Sequence, residues 1–170
     1  FLSPIIVVIL SVIILKERIY IIRILALLIG FIGVLIILRP GLIEINIGAY
    51  MVLLSGLLWS TVIIITKFMS KEDSPMTILT YQYTLVSLFT LPLAVLFWTN
   101  PTFNVFFYSI LAAITGTILH LCINHSYRLA DLSVIQPVWF TQLIFASIFG
   151  FSIFGEIPDG WTWAGGILVF

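Results

Sequence analysis

The polar side chains best placed to do chemistry fall in and just after one apolar segment, residues 105–126. Three polar residues lie three, four and seven positions from His120, which places all four on one face of an α-helix; they are Thr117, Asn124 and Tyr127. Such a face can line a substrate cavity, with His120 as a hydrogen-bonding or protonatable contact. It can equally be a packing face on which His120 bonds a neighbouring helix, and the sequence leaves both interpretations open.

Aromatic and amide side chains in three further apolar segments are additional candidates. Trp139 and Gln142 share a helical face, and an aromatic ring beside an amide can stack on a planar organic ligand, hydrogen-bond it or hold a cation. The alternative is a packing role, and hydroxyl groups in such segments can bond back to their own helix. The residues that we predict to line a substrate cavity are Trp59, Tyr81, Gln82, His120, Asn124, Trp139 and Gln142.

These residue types do not assemble a catalytic centre or a metal site in the sequence. His120 and His125 are five positions apart and diverge on a helix, without a carboxylate or a second thiolate beside them. Cys122 is the single cysteine, and it lies two positions from His120, on a different face. An intramembrane enzyme would need a nucleophile with a base, or a metal, so we expect a protein that is not an enzyme and binds no metal.

The elements that must position these side chains are helices that span a membrane. Of the 170 residues, 62% are hydrophobic and 8% are charged, whereas a soluble domain carries about 25% charged residues. This composition excludes a water-soluble globule, a disordered chain and a nucleic-acid binder. In lipid, long apolar runs must be helical to satisfy their backbone hydrogen bonds, which predicts an all-α polytopic transmembrane helix bundle. The predicted spans are residues 1–15, 22–38, 47–66, 76–98, 105–126, 133–154 and a last one from 161.

The first and last of these runs are shorter than the roughly 20 residues that a span needs. We therefore expect a fragment of a longer membrane protein. The basic residues then assign the two sides, because an excess of Lys and Arg marks the cytoplasmic side. When successive loops alternate, one side receives only Arg39 and the other receives Lys16, Arg18, Arg23, Lys67, Lys71 and Arg128. We expect a multi-pass protein of the cytoplasmic (inner) cell membrane, with the loops at Lys16, Lys67 and Arg128 in the cytoplasm.

One short pattern occurs twice. Glu17 follows the first apolar run and Glu156 follows the sixth, and each glutamate turn precedes a run with paired small residues. An offset of five helices is odd, so the two copies have opposite orientations, as in the inverted repeats of secondary transporters. Both glutamates most simply order their turns by capping, with gating as the alternative. Gly30 and Gly33 let a neighbouring helix approach closely.

Four motifs carry a family resemblance: residues 16–18 (Lys-Glu-Arg), 30–34 (Gly-Phe-Ile-Gly-Val), 38–41 (Leu-Arg-Pro-Gly) and 154–159 (Phe-Gly-Glu-Ile-Pro-Asp). Together they make the whole chain resemble EamA-type transporters of the drug/metabolite transporter (DMT) superfamily. The resemblance implies ten helices in two inverted five-helix repeats. Residues 1–41 would end the first repeat, with part of helix 4 and helix 5, and residues 47–170 would form the second, with helices 6–9 and a truncated helix 10. Lys16 departs from the usual glycine, which we expect to change only a cytoplasmic turn.

The resemblance also implies a function. It implies a secondary transporter of small organic metabolites that works by alternating access, with its cavity at the midplane between the inverted repeats. Its partners would be a small-molecule substrate and the lipid bilayer, without a nucleic acid or a cofactor, and a homodimer is compatible with it. Two alternatives stay open, namely a non-transporting membrane scaffold or assembly protein and, less favoured, an intramembrane enzyme.

Overall fold

The computed structural model describes residues 3–38, 47–155, 157 and 160–169. Within these residues the chain forms eight α-helices and one 3₁₀ turn, at Trp139–Thr141, and no β-strand. The helices are α1 (Ser3–Leu15), α2 (Ile21–Leu38), α3 (Ile47–Met69), α4 (Pro75–Leu96), α5 (Phe103–Leu129), α6 (Leu132–Val138), α7 (Gln142–Phe154) and α8 (Gly160–Val169).

Several of these helices are long and apolar enough to cross a membrane. Large apolar side chains cover their outward surfaces, as Phe89 does with 75% of its surface exposed. Such continuous apolar surface is unfavourable in water but is well accommodated by the hydrocarbon chains of lipid. The chain is therefore an all-α, multi-pass membrane protein, as its composition predicts. The long candidate spans are Tyr50–Met69, Pro75–Leu96, Phe103–Leu129 and Leu132–Phe154, beside the shorter apolar helices Ser3–Leu15 and Ile21–Ile36.

Local chemistry accounts for the helix ends. The Ser74 hydroxyl accepts a hydrogen bond from the Thr77 N–H at 3.1 Å, and Pro75 occupies the first turn of α4, where its missing N–H has no partner to lose. At the end of α3, the predicted span stops at Thr66, but the helix continues to Met69. In this last turn the Lys67 ammonium donates to the Tyr127 carbonyl at 2.7 Å.

Internal contacts divide the chain into two units. The first unit comprises Phe1–Ile65 together with Ala130–Phe170, and the second comprises Thr66–Leu129. In the first unit α2 lies along α8, and α6 packs against α1 and α2; in the second, α4 packs against α5. The core of the first unit contains Val8, Leu27, Val34 and Phe140.

Gly30 allows the ring of Phe140 to reach α2. A Cβ atom at Gly30 would collide with that ring, so any larger residue would push the two elements apart. Gly33 is also buried, one turn further along α2. The small residues of α2 thus admit a large aromatic side chain into the core of the first unit.

The sixth predicted span, 133–154, is present as one apolar helical span, Leu132–Phe154, which contains a 3₁₀ turn. α6 ends at Val138, the 3₁₀ turn follows, and α7 begins at Gln142. Pro137 supplies a physical cause, because it has no N–H to donate to the carbonyl of Ser133 and its ring crowds that carbonyl. Val138, Trp139 and Thr141 keep right-handed helical dihedral angles, so the span tightens at this point without unwinding.

Candidate functional site

Gln82 is the centre of a hydrogen-bonded group in the second unit. Its Nε2 donates to Thr66 Oγ1 at 3.0 Å, and its Oε1 accepts from the Nδ2 of Asn124 at 3.5 Å. Thr66 and Asn124 are 3% and 2% exposed, and Gln82 is half-buried. Within apolar spans these groups satisfy one another because lipid offers them no partner. The three side chains form a chain of neutral donors and acceptors between helices.

His120 lies one helical turn before Asn124 on α5. Its Nδ1 is 2.9 Å from the Gly116 carbonyl oxygen, which can only accept. The hydrogen therefore resides on Nδ1, and in the neutral imidazole Nε2 is the acceptor. The ring of Tyr83 stands edge-on to the imidazole, with centroids 5.9 Å apart and planes at 68°. The Tyr83 hydroxyl oxygen is 3.4 Å from the same Nδ1, so His120 contacts Tyr83 through both its ring and its Nδ1.

Thr117 and Tyr127 are the other two polar members of the predicted face around His120. The Thr117 hydroxyl donates to the Ala113 carbonyl of its own helix at 2.7 Å. Tyr127 is buried, and its carbonyl accepts from Lys67 Nζ and from Ser70 Oγ at 3.2 Å. Of the four side chains on that face, His120 and Asn124 are therefore the two engaged with side chains of α4.

Three predicted residues belong to the first unit. Trp59 lies on α3 with 46% of its surface exposed, and its neighbour Ser60 is buried against Ser3, 2.9 Å between their hydroxyl oxygens. Trp139 is half-buried in the 3₁₀ turn, and Gln142 is exposed at the start of α7. Trp139 begins the 3₁₀ turn of the sixth span, and Gln142 directly follows that turn.

A charged cluster joins the loop after α1 to the beginning of α6. The two carboxylate oxygens of Glu17 accept the N–H groups of Leu132 at 3.2 Å and Ser133 at 3.4 Å. Arg23 donates to Asp131 at 3.2 Å and to the Ser133 hydroxyl at 2.8 Å. A carboxylate at a helix N-terminus satisfies free N–H groups and the helix dipole. Glu17 follows the end of α1 and thus also caps α6, which is far from it in the sequence.

The first unit also has a cavity of about 700 Å³ between α7 and α8. Its walls are mainly aliphatic and aromatic, which suits lipid or an apolar helix better than a polar metabolite. None of the predicted cavity residues lines it. The lining residues are Leu143, Ile144, Ser147, Ile148, Phe151, Ile157, Thr162, Trp163, Gly166 and Ile167.

Comparison with known proteins assigns the chain to a family. Residues 46–170 match the family model described as the EamA-like transporter family. The chain belongs to this family. This EamA-like chain is 30% identical over 156 residues to a riboflavin transporter from Vibrio cholerae serotype O1, covering 91% of the chain and 52% of the relative. It is 25% identical over 170 residues to an S-adenosylmethionine uptake transporter from Rickettsia prowazekii, covering 99% of the chain and 58% of the relative.

A third relative, a riboflavin transporter from Rhizobium johnstonii, is 29% identical over 141 residues, covering 82% of the chain and 47% of the relative. The EamA-like chain thus spans about half the length of these relatives. No solved structure matches it significantly. Among the described residues, no three His, Cys, Asp or Glu side chains come together as a metal would require.

Sequence reasoning missed Tyr83 in the EamA-like chain. The spacing favoured Tyr81, which is 62% exposed, whereas Tyr83 is 38% exposed and contacts His120. Helical periodicity orders residues on one helix but contains no information on the partner helix. Both tyrosines adjoin Gln82 in the sequence, so the position beside Gln82 does not separate Tyr83 from Tyr81. Glu156 lies outside the described residues, as does the turn at 39–41.

Proposed function

We propose that this chain is part of a secondary transporter that moves small organic metabolites across the cytoplasmic membrane. The observation that carries the proposal is the match of residues 46–170 to a transporter family. In this proposal residues 1–41 end the first five-helix repeat and residues 47–170 form the second, inverted one. Alternating access follows from rocking such repeats about a shared cavity.

The names of the relatives suggest a substrate class. Riboflavin and S-adenosylmethionine each contain a planar nitrogen heteroaromatic ring, with hydrogen-bond donors and acceptors along its edge. Neutral amides and an imidazole recognise such edges without the large desolvation cost of a charged side chain in lipid. We infer that the substrate is a vitamin or nucleoside-like metabolite with a ring of this kind.

The hydrogen-bonded group of the second unit offers the matching chemistry. Gln82 and Asn124 supply amide donors and acceptors, His120 supplies Nε2 as an acceptor, and Tyr83 supplies an aromatic edge. We propose that these four side chains contact the ring of the substrate. Trp59, Tyr81, Trp139 and Gln142 stay predictions from the sequence.

The excess of basic residues supports one orientation. The loops at Lys16, Lys67 and Arg128 would lie in the cytoplasm, and the cluster of Glu17, Arg23 and Asp131 would then lie at the cytoplasmic end of its helices. We propose that this cluster holds the helices together at that end, so that Glu17 acts by capping α6.

Counterflow in liposomes tests the proposal. The complete protein would be reconstituted and assayed with labelled riboflavin and labelled S-adenosylmethionine. We expect exchange of at least one solute, and a loss of about tenfold in Asn124→Leu and His120→Ala, since each removes about one hydrogen bond from the bound state. Thr115→Val is the matched control, because the Thr115 hydroxyl bonds only its own helix, at the Leu111 and Ala112 carbonyls.

Three results would separate the claims. Exchange lost in both site variants but kept in the Thr115 control supports the transporter and its site. Exchange kept in all variants retains the transporter and removes the site. Absence of exchange with either solute, in a folded preparation, removes the proposed substrate class and favours the membrane scaffold.

A further inference from the structure

Gln136 is a fully buried polar side chain without a complete set of partners. It is 1% exposed, and among the described residues its Nε2 has no hydrogen-bond acceptor. Buried amides in folded proteins nearly always have such partners, and each exception needs a physical explanation. The amide of Gln136 therefore marks a position where packing alone does not account for the residue.

Its surroundings define a seam between helices. The buried residues of α6 are Leu132, Ser133 and Gln136, and α6 packs against α1 and α2. Phe140, one turn after Gln136, is buried on α2 at Gly30. Gln136 consequently lies on the packed face of α6, between the charged cluster at its beginning and the Phe140 contact.

The seam has features of a contact that opens. At the beginning of α6, polar bonds add to the burial of Leu132, from Glu17 to the N–H groups of α6 and from Arg23 to Asp131 and Ser133. Pro137 follows Gln136 directly, and its missing N–H leaves the Ser133 carbonyl without its usual helical partner, which weakens the backbone of α6 at this point. An apolar residue the size of glutamine would pack in the closed seam without leaving a donor unpaired. The Gln136 amide therefore suits a state in which α6 has separated from α1 and α2, because there its Nε2 can find an acceptor.

We propose that Gln136 contacts the substrate when α6 separates from α1 and α2, with its Nε2 donating to a carbonyl oxygen or ring nitrogen of the heteroaromatic ring. This inference rests on the proposed transport function. It assigns α6 a specificity-determining side chain in addition to the group around Gln82. In the closed seam the same amide is sequestered, so that binding and opening are linked.

Cysteine labelling tests the opening without requiring transport. Gln136→Cys would be made in a Cys122→Ser background, because Cys122 is exposed, and treated in liposomes with a water-soluble maleimide. We expect labelling at position 136 and slower labelling in saturating riboflavin or S-adenosylmethionine. Ile78→Cys, from a residue of α4 that is 1% exposed, is the control for static burial and should stay unlabelled.

Gln136→Leu tests the contact itself. We expect this variant to unfold at the same temperature as the parent or higher, since it loses an unpaired donor, while its KM for counterflow rises about tenfold. Val134→Leu, at an exposed position of α6, should keep parental counterflow. Gln136→Asn, which retains the amide, should recover part of the loss.

Each outcome decides the inference. No labelling at position 136, labelling unaffected by both solutes, or unchanged counterflow in Gln136→Leu overturns it. If the parent exchanges neither solute, the proposed function fails and the inference fails with it. If the parent transports while Gln136→Leu behaves as the parent, only the inference fails.

Discussion

Lys16 and Gly155 end two different apolar helices in the same backbone conformation. Lys16 follows α1 with φ of 55°, and Gly155 follows α7 with φ of 69°. Both values lie in the left-handed region, and both residues directly precede a glutamate in the sequence, Glu17 and Glu156. Glycine adopts this conformation without the steric cost that a Cβ atom adds, so Lys16 is the more strained of the two residues.

Replacement of Lys16 by glycine should stabilise the protein. The left-handed conformation costs a residue with a Cβ atom about 1 kcal/mol relative to glycine, so we expect Lys16→Gly to raise the free energy of unfolding by about that amount. Gly155→Ala should lower it by about 1 kcal/mol for the same reason. Thermal unfolding of the complete protein in detergent measures both.

Arg18→Gly is the matched control for the turn, because Arg18 has no positive φ. It should leave stability unchanged or lower it slightly. A stabilising effect of Arg18→Gly equal to that of Lys16→Gly would mean that the gain comes from charge removal and not from backbone conformation.

Loss of the Glu17 carboxylate should loosen the beginning of α6. Glu17→Gln retains one acceptor for the Leu132 and Ser133 N–H groups but removes the charge that favours the helix N-terminus. We expect a destabilisation of about 1 kcal/mol and faster hydrogen exchange at those two amides. Glu72→Gln, in an exposed turn after α3, is the control. If Glu72→Gln accelerated hydrogen exchange at the Leu132 and Ser133 amides as much as Glu17→Gln does, the capping role of Glu17 would be refuted.

Gly30→Ala should destabilise the first unit. The added Cβ meets the Phe140 ring, and forced repacking of a core costs about 1–3 kcal/mol. Gly56→Ala provides the comparison, because nothing lies within 4 Å of a Cβ at that helical position, and we expect it to stabilise by about 0.5–1 kcal/mol. In the double variant Gly30→Ala with Phe140→Leu we expect part of the lost stability to return. If none returns, a contact other than that with Phe140 prevents a larger residue at position 30.

The ion pair between Arg23 and Asp131 should contribute little by itself. The two side chains are 24% and 50% exposed, and exposed pairs are worth at most about 1 kcal/mol. A double-mutant cycle of Arg23→Ala and Asp131→Ala in detergent should give a coupling below that value, decreasing with salt. The Ser133 hydroxyl makes the shorter contact with Arg23, so Ser133→Ala should couple to Arg23 at high salt as well.

The sequence by itself determined the fold class and most helix positions. In a chain that is 62% hydrophobic, lipid removes every partner for the backbone except the helix itself. Ends marked by Ser74-Pro75 or by Gly155 follow from residues whose local geometry is the same in any protein. The end of α1 just before Lys16 and Glu17 was visible for the same reason, since a helix end is encoded within a few adjacent residues.

Only the tertiary structure decided which polar residues meet. The contact of Gln82 with Thr66, the contact of Tyr83 with His120 and the cap that Glu17 provides for α6 all join residues far apart in the sequence. Periodicity assigns a side chain to a face but does not identify the helix that the face contacts. The unpaired amide of Gln136 is likewise invisible in the sequence, because whether a polar group is satisfied depends on three-dimensional packing.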